Sequence, residues 1–330
     1  MKTATESIFE GLPGQEVKVK SIAKAVADLW HNPEDLGQAP SEFRASQMNL
    51  IIHFGRGTTL SEAREKFGTA LRFSQRYPCR IIALCPDPRP PEEFLLRAKV
   101  YGQCYVGKSR REMSCCEAIV LAYPKESKDF LEDQVSILLE GDLPIYYWIH
   151  HFTSAAKVPD YFSFLSKCKR VVYDSGVEAE DFGELPWPPQ TQVRDMVYAR
   201  LLPVRQMIGQ FMSSYAPAAI VDELDCAVLR CGPRREADGR VLRQWLASRL
   251  EACAGGAPVE VKLEVGETAE KEERMTLELR YKNSQSLCWE ADFSEKRAEI
   301  AAHIGGLQRR MPMPLELLSP AKELGEAFFF

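Results

Sequence analysis

The sequence lacks both a strong positive charge and any long apolar run. Its 330 residues carry 42 Lys and Arg against 47 Asp and Glu, and this balance disfavours non-specific nucleic-acid binding because phosphate contacts need a basic surface. No apolar stretch approaches the length needed to cross a bilayer. The start of the chain has acidic residues and no apolar core, unlike a signal or transit peptide. We therefore expect a soluble, cytoplasmic protein that binds neither nucleic acid nor membrane.

Cysteine motifs for metal binding are also missing. The ten cysteines are scattered and no Cys-x-x-Cys pair occurs, whereas zinc ligands usually come in close pairs. In a reducing compartment, such cysteines mostly act as small apolar side chains. The sequence therefore predicts no metal and no cofactor.

Catalytic and nucleotide-binding motifs are absent or incomplete. No Walker loop, nucleophile elbow, zincin helix or kinase motif is found. Gly55 and Gly57 follow a predicted strand and precede a helix whose N-terminus could hold a phosphate. However, Leu60 stands where the dinucleotide fingerprint has its third glycine. The turn Gly55–Thr59 is therefore only a weak candidate for binding a small effector.

A thiol site is the second chemical alternative. Cys115 and Cys116 stand beside Glu117, and His150 and His151 lie on another predicted strand; a neighbouring imidazole can lower the pKa of a thiol and activate it. Adjacent strand residues point to opposite faces, so only one cysteine and one histidine can share a site. Buried thiols with a paired carboxylate are the simpler interpretation. An α/β enzyme or redox sensor that binds a sugar phosphate or nucleotide remains the alternative function.

Near-continuously apolar strands alternate with helices in the first half of the chain. The strands are NLIIHF, RIIALC, AKVYGQCYVG, CEAIVLAYP, PIYYWIHH and RVVYDS, and helices are predicted after Ser21, after Thr59 with a Thr59–Glu62 capping box, and over 127–139. This alternation is typical of an α/β domain with a mostly parallel sheet covered by helices on both faces. The prolines of GELPWPPQ end the periodicity. We therefore expect domains at residues 1–185 and 186–330.

The second half has a different pattern. A long helix interrupted at Pro203, a strand over AIVDELDCAVLRC and a helix over DGRVLRQWLASRLEAC precede two segments that alternate apolar and charged residues. Such alternation indicates a sheet with one face in water. The second domain is therefore predicted to be α+β with antiparallel strands, and the charged segment 267–274 is predicted to be a solvated loop.

Arginines in this half stand beside large apolar residues, in YARLLPVRQMIGQF and RQWLASRL. That mixture is enriched at protein–protein interfaces. Trp148 and Trp245, by contrast, follow strand or helix periodicity and are predicted to lie in the core.

Taken in order along the chain, these motifs resemble the OpcA family, the glucose-6-phosphate dehydrogenase assembly proteins. The residues that carry the resemblance are Arg76 and Arg80 of RYPCRIIAL; Cys115, Cys116 and Glu117; Asp142, Pro144 and Trp148; Asp174 and Ser175; Arg200 and Arg205; and Trp245 and Arg249 of the WLASRL helix. The resemblance runs from about Ser21 to Phe328 and includes a closing helix. Tyr198, Val204 and Ile149 stand where the family pattern has tryptophans.

The resemblance implies a non-catalytic protein that binds glucose-6-phosphate dehydrogenase in the cytoplasm. It would promote the enzyme's oligomeric assembly and allosteric activation in the oxidative pentose phosphate pathway, and so act in carbohydrate metabolism. A partner that binds an active state more tightly than an inactive one shifts the equilibrium without chemistry of its own. The motif residues are thus the candidate partner-binding residues, and the resemblance implies no catalytic, cofactor-binding or metal-binding residue.

Overall fold

The computed structural model describes residues 7–29, 46–87, 96–106, 113–123, 131–178, 180–266 and 272–330. Its contacts form two compact units. The first unit is Met1–Met196 with Pro320–Phe330, and the second unit is Val197–Ser319. The domains predicted at 1–185 and 186–330 stay a prediction, because a grouping of contacts does not test which segments fold independently.

The described part of the first unit contains an eight-stranded sheet. Its strands are β1 Gln15–Val17, β2 Met48–Phe54, β3 Cys79–Pro86, β4 Ala98–Val106, β5 Met113–Tyr123, β6 Ile145–His150, β7 Arg170–Tyr173 and β8 Val193–Asp195. The order across the sheet is β1-β4-β5-β3-β2-β6-β7-β8. Strands β5, β3, β2, β6, β7 and β8 run parallel, whereas β4 runs antiparallel to β5 and to β1. The predicted, mostly parallel sheet is confirmed.

Helices accompany this sheet, and every residue of β2 is buried. They are α1 Ile8–Gly11, α2 Ile22–Asp28, α3 Leu60–Ser74 and α4 Phe162–Leu165. The predicted capping box of α3 is present, with Thr59 and Glu62 bonded to each other's backbone N–H. Residues 131–138 of the helix predicted over 127–139 form short non-α helical turns. Residues 127–130 of that prediction lie outside the described residues.

The second unit contains, in its described residues, a six-stranded sheet of order β10-β9-β11-β12-β13-β14. Its strands are β9 Leu224–Cys231, β10 Val261–Val265, β11 Arg274–Tyr281, β12 Ser286–Asp292, β13 Arg297–Ile304 and β14 Leu307–Pro314. Its helices are α5 Met196–Arg200, which begins at the last residue of the first unit, α6 Leu202–Met212, α7 Pro217–Val221 and α8 Glu236–Cys253. Buried and exposed residues alternate along β11 and β13, so the prediction of one wet face is confirmed.

Two local predictions in the second unit need correction. The strand predicted from Ala219 begins only at Leu224, because Pro217 starts helix α7 and proline suits the first turn of a helix. Strand β10 runs parallel to β9, while the other neighbours in this sheet are antiparallel. Helix α8 supplies the crossover connection that a parallel pair requires.

The chain ends in helix α9, Pro320–Phe329, which belongs to the first unit. Phe328 is buried there and its ring lies 5.8 Å from that of Phe73 and 5.1 Å from that of Tyr146. The predicted closing helix is therefore present, and it packs on the unit that contains the start of the chain.

Candidate functional site

The topology of the first unit defines a crevice at the carboxyl ends of β2 and β6. From β2 the chain moves outward through β3 to β5 and then returns to β6, on the other side of β2. Connections that diverge in this way leave an opening at the strand ends, which is the usual ligand position in open parallel sheets. The turn Gly55–Thr59 follows β2 at this point, and residues 150–152 end and follow β6.

Glycines allow the two strand ends to approach closely. Gly55 N–H donates to the His150 carbonyl at 2.7 Å, and Gly57 N–H donates to the His151 carbonyl at 3.1 Å. A Cβ on Gly55 would lie 2.3 Å from the His151 carbonyl oxygen. His151 itself has a φ of 56°, a left-handed conformation that is uncommon outside glycine. The glycines thus serve close backbone packing in this turn.

Three polar side chains meet beside the turn: Glu62, His150 and His151. One Glu62 oxygen accepts hydrogen bonds from the Thr59 backbone N–H at 2.7 Å and from its hydroxyl at 2.8 Å. The other lies 3.2 Å from His151 Nδ1. His150 is buried; burial, followed by the positive charge of Lys66, lowers the pKa of His150 to about 4. The cluster therefore presents a neutral imidazole beside a carboxylate.

Glu178 holds the backbone of this cluster in place. Its carboxylate accepts hydrogen bonds from His151 N–H and from Phe152 N–H, the latter at 2.8 Å. Burial raises the pKa of Glu178 to about 7, although both hydrogen bonds favour the ionised form. Sequence reasoning missed Glu178, and its position three residues after the Asp174–Ser175 motif is the signal that could have revealed it.

The Asp174–Ser175 motif forms the turn that positions Glu178. The Asp174 carbonyl accepts from Val177 N–H and Glu178 N–H, each at 2.9 Å, and its carboxylate accepts from Gly176 N–H at 2.9 Å. Asp174 is buried. This motif residue therefore shapes the fold.

A cavity of about 290 Å³ lies at the same edge of the sheet. Its lining includes Gly55, Tyr161, the basic residues Arg56 and Lys157, and the acidic residue Asp160. Two basic side chains beside a glycine turn can bind an anionic small molecule, because a guanidinium and an ammonium both donate to phosphate or carboxylate oxygens.

Several family-motif residues lie at the opposite, amino edge of the sheet. Arg80 Nε donates to Glu117 at 2.6 Å, its Nη1 donates to the Leu138 carbonyl at 3.0 Å, and its Nη2 lies 3.5 Å from Glu140. Arg76 and Asp142 are exposed in the loops that precede β3 and β6. The structure thus brings together three motifs that are distant in sequence.

Asn49, which sequence reasoning did not single out, organises the Asp142–Pro144 loop. Its side-chain amide donates to the carbonyls of Glu140 and Leu143, both at 3.3 Å, and its oxygen accepts from Glu140 N–H at 2.8 Å. Its backbone N–H donates to the Pro144 carbonyl at 2.9 Å. A fully buried asparagine inside a strand was the available signal, because buried polar groups need partners.

The proposed pairing of a thiol with a strand-end imidazole is wrong. Glu117 is in register with Arg80, Arg80 with Asn49, and Asn49 with Ile145, the first residue of β6. His150 is the last residue of β6, which places it about 16 Å further along the sheet at ~3.3 Å per residue. Burial also raises the pKa of the Cys116 thiol, which opposes formation of a thiolate.

The expectation that the cysteines act as isolated apolar side chains fails for one pair. Cys104 and Cys115 face each other on β4 and β5 and form a disulfide. Residues directly opposed in an antiparallel pair have their Cβ atoms close together, and the sequence could not reveal this register. Eight other cysteines are free, of which Cys79, Cys85, Cys116, Cys168 and Cys231 are buried.

In the second unit, the motif arginines make local contacts. Arg205 lies over the Tyr198 ring, 3.5 Å from its centroid, and donates to the Tyr198 carbonyl at 3.0 Å. Arg200 Nε lies 3.6 Å from Asp238 on α8. Trp245 is half-buried against the core of this unit, and Arg249 is exposed.

The fourteen candidate residues therefore differ in exposure. Cys115, Cys116, Glu117, Trp148, Asp174 and Arg205 are buried; Arg80, Pro144, Ser175, Arg200 and Trp245 are half-buried; Arg76, Asp142 and Arg249 are exposed. Only the last group offers a side chain that a partner can reach freely.

The first unit is a doubly wound α/β domain. When its parallel strands are numbered 1 to 6 in chain order, they lie across the sheet in the order 3-2-1-4-5-6, which corresponds to β5-β3-β2-β6-β7-β8.

Residues 70–185, about a third of the chain, match the family model described as "Glucose-6-phosphate dehydrogenase subunit N-terminal domain". Curated relatives named "Putative OxPP cycle protein OpcA" match as well. The one from Synechocystis is 24% identical over 72% of this chain, and the one from Synechococcus elongatus is 28% identical over 58%.

These matches confirm the resemblance predicted from the motifs: the chain is similar to the OpcA proteins, and its residues 70–185 match the family model. The chain spans about half or less of the length of those curated relatives, 52% and 42% for the two named.

A solved structure of glucose-6-phosphate 1-dehydrogenase from Mycobacterium avium aligns with 85% of this chain and 86% of its own, at 12% identity and a TM-score of 0.38. A score this low does not establish a shared fold. Among the described residues, no helix is long and apolar enough to span a bilayer.

Proposed function

We propose that this protein binds a glucose-6-phosphate dehydrogenase and promotes its oligomeric assembly and activation in the oxidative pentose phosphate pathway. The observation that carries this proposal is the match of residues 70–185 to the dehydrogenase-associated family domain. The names of the curated OpcA relatives support it. We propose further that the protein acts in the cytoplasm and catalyses no reaction itself.

Activation without catalysis requires only state-dependent binding. A protein that binds the active oligomer of an enzyme more tightly than its inactive form shifts the population by that difference in affinity. The same linkage means that the substrate, if it favours the active oligomer, strengthens binding of the partner.

The exposed motif residues of the amino edge are the best candidates for the contact. Arg76 and Asp142 carry opposite charges. Asn49 holds the loop that contains Asp142 through its hydrogen bond to the Leu143 carbonyl, and the Arg76 N–H donates to the Phe73 carbonyl at 3.1 Å. Fixed loops lose little conformational freedom on binding, which favours affinity. Arg249 offers a further exposed motif side chain, on α8 of the second unit.

The test combines the purified chain with the dehydrogenase of the same organism. We expect co-elution in size-exclusion chromatography and a rise in dehydrogenase activity or apparent substrate affinity. Arg76→Glu and Asp142→Arg should each weaken the complex at least tenfold, because charge reversal at an interface places like charges together. Lys20→Glu, an exposed charge reversal outside the motifs, serves as the control and should bind like the unmodified chain. Separate elution with unchanged kinetics at micromolar concentrations would overturn the proposal.

A second candidate function is the binding of an anionic small molecule in the cavity beside Gly55 and Arg56. The cavity and its two basic residues favour it. The enzyme or redox-sensor alternative also required a thiol of Cys115 or Cys116, and these residues lie at the other edge of the sheet. Thermal-shift measurements with glucose 6-phosphate and NADP should show a rise in melting temperature that Arg56→Ala removes. The absence of a shift with both compounds would eliminate this candidate.

A further inference from the structure

The cluster at the ends of β2 and β6 has the composition of a metal site. Glu62, His150 and His151 each offer a ligand atom, and these atoms all lie within 4.8 Å of one another. The three residues come from the first turn of α3 and the end of β6, so the sequence separates the carboxylate from the imidazoles by almost ninety positions. Imidazole nitrogen and carboxylate oxygen together suit borderline divalent ions such as Zn²⁺.

His150 provides an independent observation. Its side chain is 1% exposed, and neither ring nitrogen has a hydrogen-bond partner among the described residues. A buried polar group without a partner destabilises the fold by about 1–3 kcal/mol. In native structures, such a group calls for an explanation, for example a bound ion or water. A metal ion bound to one nitrogen would satisfy it.

The spacing of the other two ligands already fits a bound ion. Two ligands on a tetrahedral Zn²⁺, each about 2.0–2.2 Å from the metal, lie about 3.3–3.6 Å apart. His151 Nδ1 and Glu62 Oε1 are 3.2 Å apart. A ring nitrogen of His150 lies within 4.8 Å of both of these atoms, so a local side-chain adjustment is all that closure around one ion requires.

The surrounding contacts orient two of these ligands. Thr59 holds one Glu62 oxygen through two hydrogen bonds, which leaves the other oxygen directed at His151. Glu178 fixes the His151 backbone. Ligands held in this way need little rearrangement, and such supporting contacts raise metal affinity. The positive charge of Lys66 acts on His150 and opposes binding of a cation, whereas the Glu62 carboxylate favours it.

We propose that Glu62, His150 and His151 bind one divalent transition-metal ion of the zinc type, with a fourth position left open. The half-exposed side chains of Glu62 and His151 provide the path from solvent. This site is separate from the amino edge to which the dehydrogenase contact was assigned, so it goes beyond the proposed assembly function.

The experiment uses the full chain, freed of metal with a chelator and then dialysed. Isothermal titration with Zn²⁺ should show one site per chain, and Zn²⁺ should raise the melting temperature because it binds only the folded state. Co²⁺ then reports the ligands: we expect the visible absorption of a tetrahedral nitrogen and oxygen site without the near-ultraviolet band of a thiolate ligand. That second readout separates the cluster from the eight free cysteines.

Two variants remove ligands while preserving the fold. Glu62→Gln keeps a side chain that can complete the capping box, and His151→Gly suits the positive φ at that position. Each should lower Zn²⁺ affinity at least tenfold. His303→Gln, which removes an exposed histidine of the second unit, is the control and should bind Zn²⁺ normally. Three results would each overturn the proposal: no Zn²⁺ binding by the unmodified chain, a Zn²⁺ affinity in both ligand variants that equals that of the unmodified chain, or a thiolate band with Co²⁺.

Discussion

At the scale of single residues, buried polar side chains with specific partners explain much of the motif pattern. Asp174 shapes a turn, and Asn49 ties the loop before β6 to β2. Glu117 is 1% exposed and pairs with the half-buried Arg80. These residues therefore determine the geometry of the amino edge and of the crevice, while exposed neighbours remain available for contacts.

The Arg80–Glu117 pair leads to a stability prediction. Glu117→Ala leaves the Arg80 guanidinium partly buried without its shortest contact, so we expect the free energy of unfolding to fall by about 3–5 kcal/mol. Urea denaturation followed by far-ultraviolet circular dichroism measures this change.

The matched control is Glu264→Ala, which removes one of the two carboxylate partners of Arg230, in an exposed ion pair. Exposed pairs contribute about 0–1 kcal/mol, so this variant should unfold almost like the original chain. Equal losses in the two variants would contradict the importance assigned to the buried pair.

At the scale of elements, the crevice depends on the short distance between the carboxyl ends of β2 and β6. The hydrogen bonds of Gly55 and Gly57 join the turn after β2 to the end of β6, and α3 starts immediately afterwards at a reciprocal cap. The position of Glu62 follows from that cap, since the same carboxylate closes the capping box and faces His151.

Gly55→Ala should therefore damage the fold at this turn. The added Cβ would lie 2.3 Å from the His151 carbonyl oxygen and 2.6 Å from Phe152 Cα, and backbone atoms cannot rotate away. We expect a loss of at least about 3 kcal/mol in unfolding free energy, in the range of severe overpacking and backbone strain. Chemical denaturation provides the measurement.

Gly68→Ala is the matched comparison inside α3. There, the nearest atom to the new Cβ is the end of the Arg72 side chain at 3.5 Å, and alanine is the better helix former by about 1 kcal/mol. This variant should gain stability. A stable Gly55→Ala protein would show that the two strand ends can separate without cost.

At the scale of the whole molecule, the last helix belongs to the unit that contains the beginning of the chain. Helix α9 follows the entire second unit in sequence, yet Phe328 packs in the first unit against Phe73 and Tyr146. Removing residues from the end of the chain should therefore destabilise the first unit.

Phe328→Ala tests this arrangement with a single side chain. The phenylalanine is 1% exposed, and truncation of a buried phenylalanine costs about 3–5 kcal/mol. Phe330→Ala is the control, because that side chain is 79% exposed and its loss should change stability by less than about 0.5 kcal/mol. Thermal unfolding of the two variants should differ by several degrees, and coincident transitions would contradict the packing described for α9.

Much of the fold could be predicted because local signals agreed with one another. The apolar runs of β2, β3 and β6 and the capping box of α3 are each specified by a few neighbouring residues. The strand predicted from Ala219 was wrong at its start, since β-like composition there competes with a helix that Pro217 initiates. Of the candidate site, the motif residues could be selected, but their separation into buried and exposed groups could not.

The sequence by itself determined the α/β class, the family resemblance and the local ends of several elements, because periodicity, caps and turn residues act over a few positions. Only the tertiary structure decided that Glu117 pairs with Arg80, that Cys104 faces Cys115, and that Glu62 meets two histidines at one edge of the sheet. These contacts depend on strand order and register. Both arise from packing of the whole chain, so they cannot be predicted from the residue at any single position.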